Sequence, residues 1–340
     1  MTTLGPQARG ALVAFAALAS ILCLCAPAAQ ASTTAELRVL TPDGVLDPGT
    51  NYVIEDPITV STSPDADCFG EPGGSGADYE LTTPSALGLL ATGGLDSRKL
   101  DPLGLTDQFG FGLALCSIGK AEADSNSFWY LKANGEEAAV AIDQLAVRDG
   151  DEVLLYLSPS TFPDPNPAEL VLRSPARVQP GEAFDVRVVE RSCTTDQTTF
   201  ETTCGSGPAA GVEVRGGEKP VTTGSDGIAT VTAKSAGSLR LSGTRGSDIP
   251  TKKLELCVDD DLDACPRAFG ERFVGASSGD RLKGGKGSDE ISAGKGADKI
   301  DIRSGGLDEV DCGAGDDRVT VKRADADDDI SRNCERIRRR

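Results

Sequence analysis

Five aspartates near the C-terminus, Asp280, Asp289, Asp298, Asp308 and Asp317, recur 9, 9, 10 and 9 residues apart. Two residues after each stands a large aliphatic side chain: Leu282, Ile291, Ile300, Val310 and Val319. Glycines precede them, most fully at Gly284, Gly285 and Gly287, then at Gly294 and Gly296, and at Gly313 and Gly315. These residue types suit one chemistry. Glycine lets the backbone turn through positive φ and leaves its carbonyls uncovered. The Asp adds a hard anionic oxygen. Ca2+ takes about 6–8 such oxygens, more than one turn supplies. The aliphatic residue needs a short strand that buries it between stacked sheets. Turns then alternate sides, and each meets the turn two copies on. Asp280, Asp298 and Asp317 should line one edge, Asp289 and Asp308 the other, with room for roughly two or three shared cation sites.

The copy GGKGSDEIS, residues 284–292, fits the template Gly-Gly-x-Gly-x-Asp-x-U-x, where U is large and apolar. AGKGADKID and CGAGDDRVT each lack only the first Gly, and GASSGDRLK and RSGGLDEVD are weaker copies. The stretch resembles the RTX, or haemolysin-type, calcium-binding repeats over about residues 275–320, and on to Cys334 through a degenerate copy at Asp328 and Ile330. The resemblance implies a parallel β-roll that orders on Ca2+, with the glycines and aspartates named above as its metal-binding positions. Two departures stand out: Ser278 replaces a Gly, and Ile302 is one residue extra.

Other elements must position this array. Arg9, the apolar run Ala11 to Cys25 and the triplet Ala29-Gln30-Ala31 read as a secretory signal peptide over residues 1–31. The run is short for a membrane span, so the mature chain is expected to be secreted. Losing Cys23 and Cys25 leaves eight cysteines, an even number in a chain bound for an oxidising space. Their distribution suggests near-neighbour pairs: Cys68–Cys116, Cys193–Cys204, Cys257–Cys265 and Cys312–Cys334. A cysteine metal site is the alternative, but the chain has no His and no Cys-x-x-Cys.

The length suggests two or three domains. The expected fold is multidomain and mainly β. An α+β module spans residues 35–157 and a Pro-rich linker 158–167. An immunoglobulin-like β-sandwich spans 168–258 and a C-terminal parallel β-roll 275–334. In the first module TTPSALGLLATGG predicts a helix with Thr83 as N-cap, Pro84 at N1 and Gly93 as C-cap. SALGLLATGGL, QFGFGLALCSIG and FWYLKANGEEAAVAIDQLAVRDGDEVLLYL together look like the transcobalamin-like C-terminal domain family. That resemblance implies a corrinoid as a possible ligand, with Trp129 and Tyr130 able to stack on it, although the large helical barrel that partners such domains is absent. In the second module, six short β-type runs from ELVLR to KLELCV, divided by Gly, Pro, Asp and Ser, predict a sandwich. TTGSDGIATVTAKSAGSLRLSGTR resembles the bacterial immunoglobulin-like family, mostly spacers and adhesive modules.

Without His, Ser-His-Asp and Cys-His nucleophilic systems and His-bound zinc hydrolases are excluded. A carboxylate-pair glycosidase needs only Asp and Glu, but no catalytic scaffold is visible. No Gly-rich loop precedes a helix to cradle phosphate. The net charge of −19 argues against nucleic acid, and the terminal RIRRR reads as a solvated end. The expectation is a secreted, non-catalytic calcium-binding protein with a structural or adhesive role at the cell surface and an unknown polymer or protein partner. The alternative is an extracellular corrinoid-binding protein built on the first module.

Overall fold

The computed structural model describes residues 32–66, 73–159, 166–196, 198–199, 201–261, 269–285, 287–303, 308–322 and 328–340. The expected signal peptide, Cys68, Cys265 and linker residues 160–165 lie outside them. The protein is mainly β, with several sheets and, among the described residues, one helix. That helix is too short to cross a membrane.

The strand Thr34–Thr41 is buried along most of its length, because both of its faces are covered. It pairs antiparallel with Gly44–Val53 and parallel with Glu152–Pro159, which pairs antiparallel with Ser127–Ala133. The helix Ala86–Asp96 covers one face, burying Leu87, Leu89 and Leu90 against Leu37, Tyr52 and Leu155. Its N-cap is Ser85, not Thr83: the Ser85 side chain accepts a hydrogen bond from the Gly88 amide, satisfying an amide of the first turn. Nor does Gly93 end the helix, which continues to a C-cap at Ser97. A Cβ on Gly93 would lie 2.9 Å from Leu100 and 3.0 Å from Leu37. The glycine is there for close packing.

The second segment forms two sheets. One holds Glu169–Arg173, Ala183–Thr195, Thr202–Pro208 and Ile228–Thr232. The other holds Arg177–Val178, Leu254–Val258, Gly237–Thr244, Glu213–Arg215 and Val221–Thr222. Alternation in AFDVRVV turns Phe184, Val186 and Val188 inward, where they join Val214, Leu241 and Leu256. Cys193 and Cys204 stand opposite each other on paired strands and form a disulfide. The segment packs on the other face of the first sheet, where Ile249 joins Leu40, Tyr130, Leu154 and Tyr156.

The C-terminal copies form two parallel sheets. Arg281–Lys283, Lys299–Ile302, Arg318–Val321 and Arg336–Arg339 make one. Phe269–Val274, Ser288–Ser292, Glu309–Asp311 and Asp329–Ile330 make the other. Leu282, Ile291, Ile300, Val310 and Val319 fill the space between them. Two features go beyond the repeat pattern. RIRRR is exposed, as a solvated end should be, and Arg336–Arg339 is also an edge strand, entered just past the Cys312–Cys334 disulfide. The three segments also do not simply follow one another in line. Phe269–Val274 pairs parallel with Gly44–Val53, so one nine-stranded sheet runs from the repeats into the first module. Exposed edges invite pairing, and this pairing covers the one that Gly44–Val53 would otherwise present. The extra residue Ile302 is absorbed as buried core, paired with Val321.

Candidate functional site

Each repeat Asp sits where a turn enters a strand, and strand pairing decides what it meets. Along one edge the Asp280 amide donates to Asp298 Oδ1 and the Asp298 amide to Asp317 Oδ1, both at 2.8 Å. The Asp317 amide donates to Glu335 Oε2 at 2.9 Å. Along the other edge the Glu271 amide donates to Asp289 Oδ1 and the Asp289 amide to Asp308 Oδ1, again at 2.8 Å. The Asp308 amide donates to Asp328 Oδ1 at 3.2 Å. Asp280, Asp298 and Asp317 therefore share one edge, and Asp289 and Asp308 the other. Glu335 and Glu271 extend the ladders but escape a reading based on the nonapeptide. Their one signal is the interval of 18 residues to Asp317 and to Asp289.

The ladder uses one oxygen of each carboxylate. Asp280 Oδ1 and the Oδ2 atoms of Asp289, Asp298 and Asp317 are buried without a hydrogen-bond partner. These four residues are at most 2% exposed. A buried anionic oxygen left so calls for a proton, a cation or a bound water. Burial pushes the Asp280 carboxyl up to about 7; the Ala276 amide opposes this, and the charges of Asp298 and Glu55 add to it. Burial likewise pushes Asp298 up to about 6, opposed by the Asp280 amide and helped by Asp317.

The glycines have two different reasons. Gly294, Gly296 and Gly313 have φ of +91°, +123° and +76°, as a tight turn demands. Gly284, Gly285 and Gly315 do not have positive φ. A Cβ on Gly315 would sit 1.4 Å from the Gly296 carbonyl oxygen of the neighbouring turn. One on Gly284 would sit 2.8 Å from Asp289 Oδ2, the oxygen that lacks a partner. Gly285 has ordinary clearance. Gly287 is buried beside them.

These residues fit a hard cation, since buried, unpartnered carboxylate oxygens lie under glycine turns too tight for a side chain. Among the described residues no three or more His, Cys, Asp or Glu groups converge as a metal set. A cation here would take carboxylates singly or in pairs and complete its shell from carbonyls and water, as Ca2+ does.

Trp129 and Tyr130 are adjacent on one strand and serve different clusters. Trp129 is 8% exposed in the first module's core, while Tyr130 packs with Leu154, Tyr156 and Ile249. Both line an apolar groove of about 260 Å³, together with Phe128 and the exposed Phe111 and Val140. A charged cluster joins the first two segments: Glu169, 2% exposed, is 3.0 Å from Lys132 and within 4 Å of Arg38 and Arg191. Among the cysteines, Cys193–Cys204 and Cys312–Cys334 are paired as expected. Cys116 and Cys257 are disulfide-bonded, and their expected partners lie outside the described residues.

No family model and no curated protein matches the chain. Among solved structures it is similar to a candidate metal-binding protein from Ruminococcus gnavus ATCC 29149. The two share 17% identity, with 37% of this chain and 97% of that one covered, at a TM-score of 0.22. A likeness at that level carries no argument about function.

Proposed function

We propose that this is a secreted, non-catalytic protein of the extracellular or cell-surface structural and adhesive kind, whose C-terminal repeats are RTX-type and bind Ca2+. The observation that carries the reading is the set of buried carboxylate oxygens on Asp280, Asp289, Asp298 and Asp317 that no protein group satisfies. Ca2+ held there, with Asp308 in the ladder of Asp289, would supply the positive charge that lets the carboxylates stay ionised at neutral pH. The chain's own part is to hold these oxygens in register and exclude side chains from the turns above them. The paired disulfides suit an oxidising compartment. The immunoglobulin-like reading of the middle segment and the transcobalamin-like reading of the first describe a scaffold that carries the repeats. Trp129 lines the apolar groove but is only 8% exposed and packs in the core, so the corrinoid reading stays the alternative, tested by acrylamide quenching of Trp129 fluorescence.

The test is a calcium titration of the chain from Ser32, in EDTA-treated buffer, followed by circular dichroism and thermal melting. Expected is saturable binding that raises the melting temperature and is shared little, if at all, by Mg2+, which dehydrates reluctantly. A melting curve indifferent to Ca2+ up to millimolar concentration would sink the reading.

A further inference from the structure

From Asp280 onward, the residue after each repeat acid alternates in charge along the chain: Arg281, Glu290, Lys299, Glu309, Arg318, Asp329, Arg336. All seven are exposed. Alternate copies belong to opposite sheets, so the fold sorts these charges by face. Strand register stacks Arg281, Lys299, Arg318 and Arg336 in one column. Glu290, Glu309 and Asp329 stack on the other sheet. Neighbouring strands lie about 4.8 Å apart, and like charges directly opposite one another weaken a sheet. The fold tolerates four such cations in a row. Arg336 reaches Asp316, but Arg281, Lys299 and Arg318 form no salt bridge among the described residues. Beside the column lies a shallow groove of about 380 Å³, also lined by Lys283, Arg338 and Arg340. Among the described residues its one carboxylate, Asp301, is engaged by Arg303 at 2.6 Å.

We propose that this face binds a linear acidic polysaccharide, with its carboxylate or sulfate groups laid along the cation column. Three observations select that occupant. The column repeats at strand spacing, close to the length of a sugar ring, so a polymer charged at each ring meets successive cations. Among the described residues no aromatic side chain lines the groove, which removes the stacking platform that single-stranded nucleic acid uses. Lys283, Arg338 and Arg340 beside the column keep this face locally basic although the chain as a whole carries −19, so a polyanion is drawn to this face alone. The proposal names a partner class for the surface protein proposed above. It rests on that reading only for the partner's location, because the cation column follows from strand register and not from calcium.

The test uses the full chain from Ser32 and chondroitin sulfate, with neutral dextran as the control polymer, in Ca2+ and in EDTA, with circular dichroism reporting the fold. Expected is binding to chondroitin sulfate and not dextran, weakened about tenfold or more between low and high salt by screening and counterion release. The triple variant Arg281→Thr, Lys299→Thr, Arg318→Thr should lose binding about tenfold or more and melt no lower than the parent, since it relieves repulsion. The triple Glu290→Thr, Glu309→Thr, Asp329→Thr should bind at least as well as the parent. If the cationic triple fails to fold, Lys299→Gln and Arg318→Gln singly must each weaken binding, and no change in either overturns the proposal. Equal binding by the parent and a folded cationic triple overturns it. So does duplex DNA that competes on equal terms. Salt-sensitive self-association that either triple abolishes also overturns it, by assigning the column to a second copy. Polymer binding by a chain whose melting is indifferent to Ca2+ supports this proposal while removing the calcium reading; a calcium-dependent rise in melting without polymer binding does the reverse.

Discussion

Asp298 sits mid-ladder: its Oδ1 receives the Asp280 amide and its own amide donates to Asp317. Removing its charge while keeping its shape should separate two roles. Asp298→Asn is expected to fold in EDTA about as well as the parent, because the ladder hydrogen bond survives, yet to lose most of the stabilisation that Ca2+ confers. Calcium-dependent melting shifts of the two proteins check this; equal shifts would remove Asp298 from the site. The pH dependence follows from the same carboxyls. Asp280 and Asp298 titrate near 7 and 6 in the metal-free fold and near 3.8 when unfolded. Between about pH 4 and 7 the native state therefore binds more protons, and its stability in EDTA should fall as pH rises through that window. Ca2+ should flatten the fall, because a bound cation replaces the proton, and binding near pH 6 should release protons. Calorimetry in buffers of different ionisation enthalpy reads that release.

At the scale of the element, glycine does more than turn the chain. Gly315→Ala would drive a Cβ into the Gly296 carbonyl, and overpacking of this kind costs about 1–3 kcal/mol, occasionally more. Gly205→Ala, in an exposed strand with open space around it, should stay within about 0.5 kcal/mol. Denaturant melts of the two variants give the contrast. The C-terminal end of the stack depends on the last strand, closed by Cys312–Cys334 across 22 residues. Cys312→Ala with Cys334→Ala should cost about 3 kcal/mol through the freed loop. It should also raise amide exchange in Arg336–Arg339 before the strands further in. A stacked repeat needs a cap at each end. Here one end is capped by this strand and the other by the first module's sheet.

At the scale of the molecule, residues 32–340 make one compact unit. The nine-stranded sheet crosses from the repeats into the first module, and Val53 belongs to the repeat core while Val274 belongs to the first. A chain ending at Val258 should expose the edge of Gly44–Val53 and self-associate, which light scattering would detect; a monodisperse monomer would show that the edge needs no cover. The Glu169 cluster joins the first two segments in the same way. Glu169→Ala leaves Arg38 and Lys132 buried without their counter-charge and should destabilise the whole unit by about 3–5 kcal/mol. Lowered melting of every segment together, rather than of the middle one alone, is the expected signature.

The sequence by itself determined what depends on a short stretch of chain. The Asp and aliphatic spacing specified strands joined by turns and a turn-to-turn contact two copies on. Alternation in Ala183–Thr195 specified which face is buried. The absence of His bounded the chemistry. Tertiary structure alone decided which backbone edge each strand meets. Nothing in Gly44–Val53 marks it as the partner of Phe269–Val274, more than 200 residues away, because backbone hydrogen bonds along a sheet edge do not read side chains. It also decided that Glu335 completes an Asp ladder without a glycine turn of its own, that Gly93 packs inside a helix instead of ending it, and that seven alternating charges fall on two opposite faces. Local pattern shows which side of an element is buried. What it is buried against depends on contacts between distant segments.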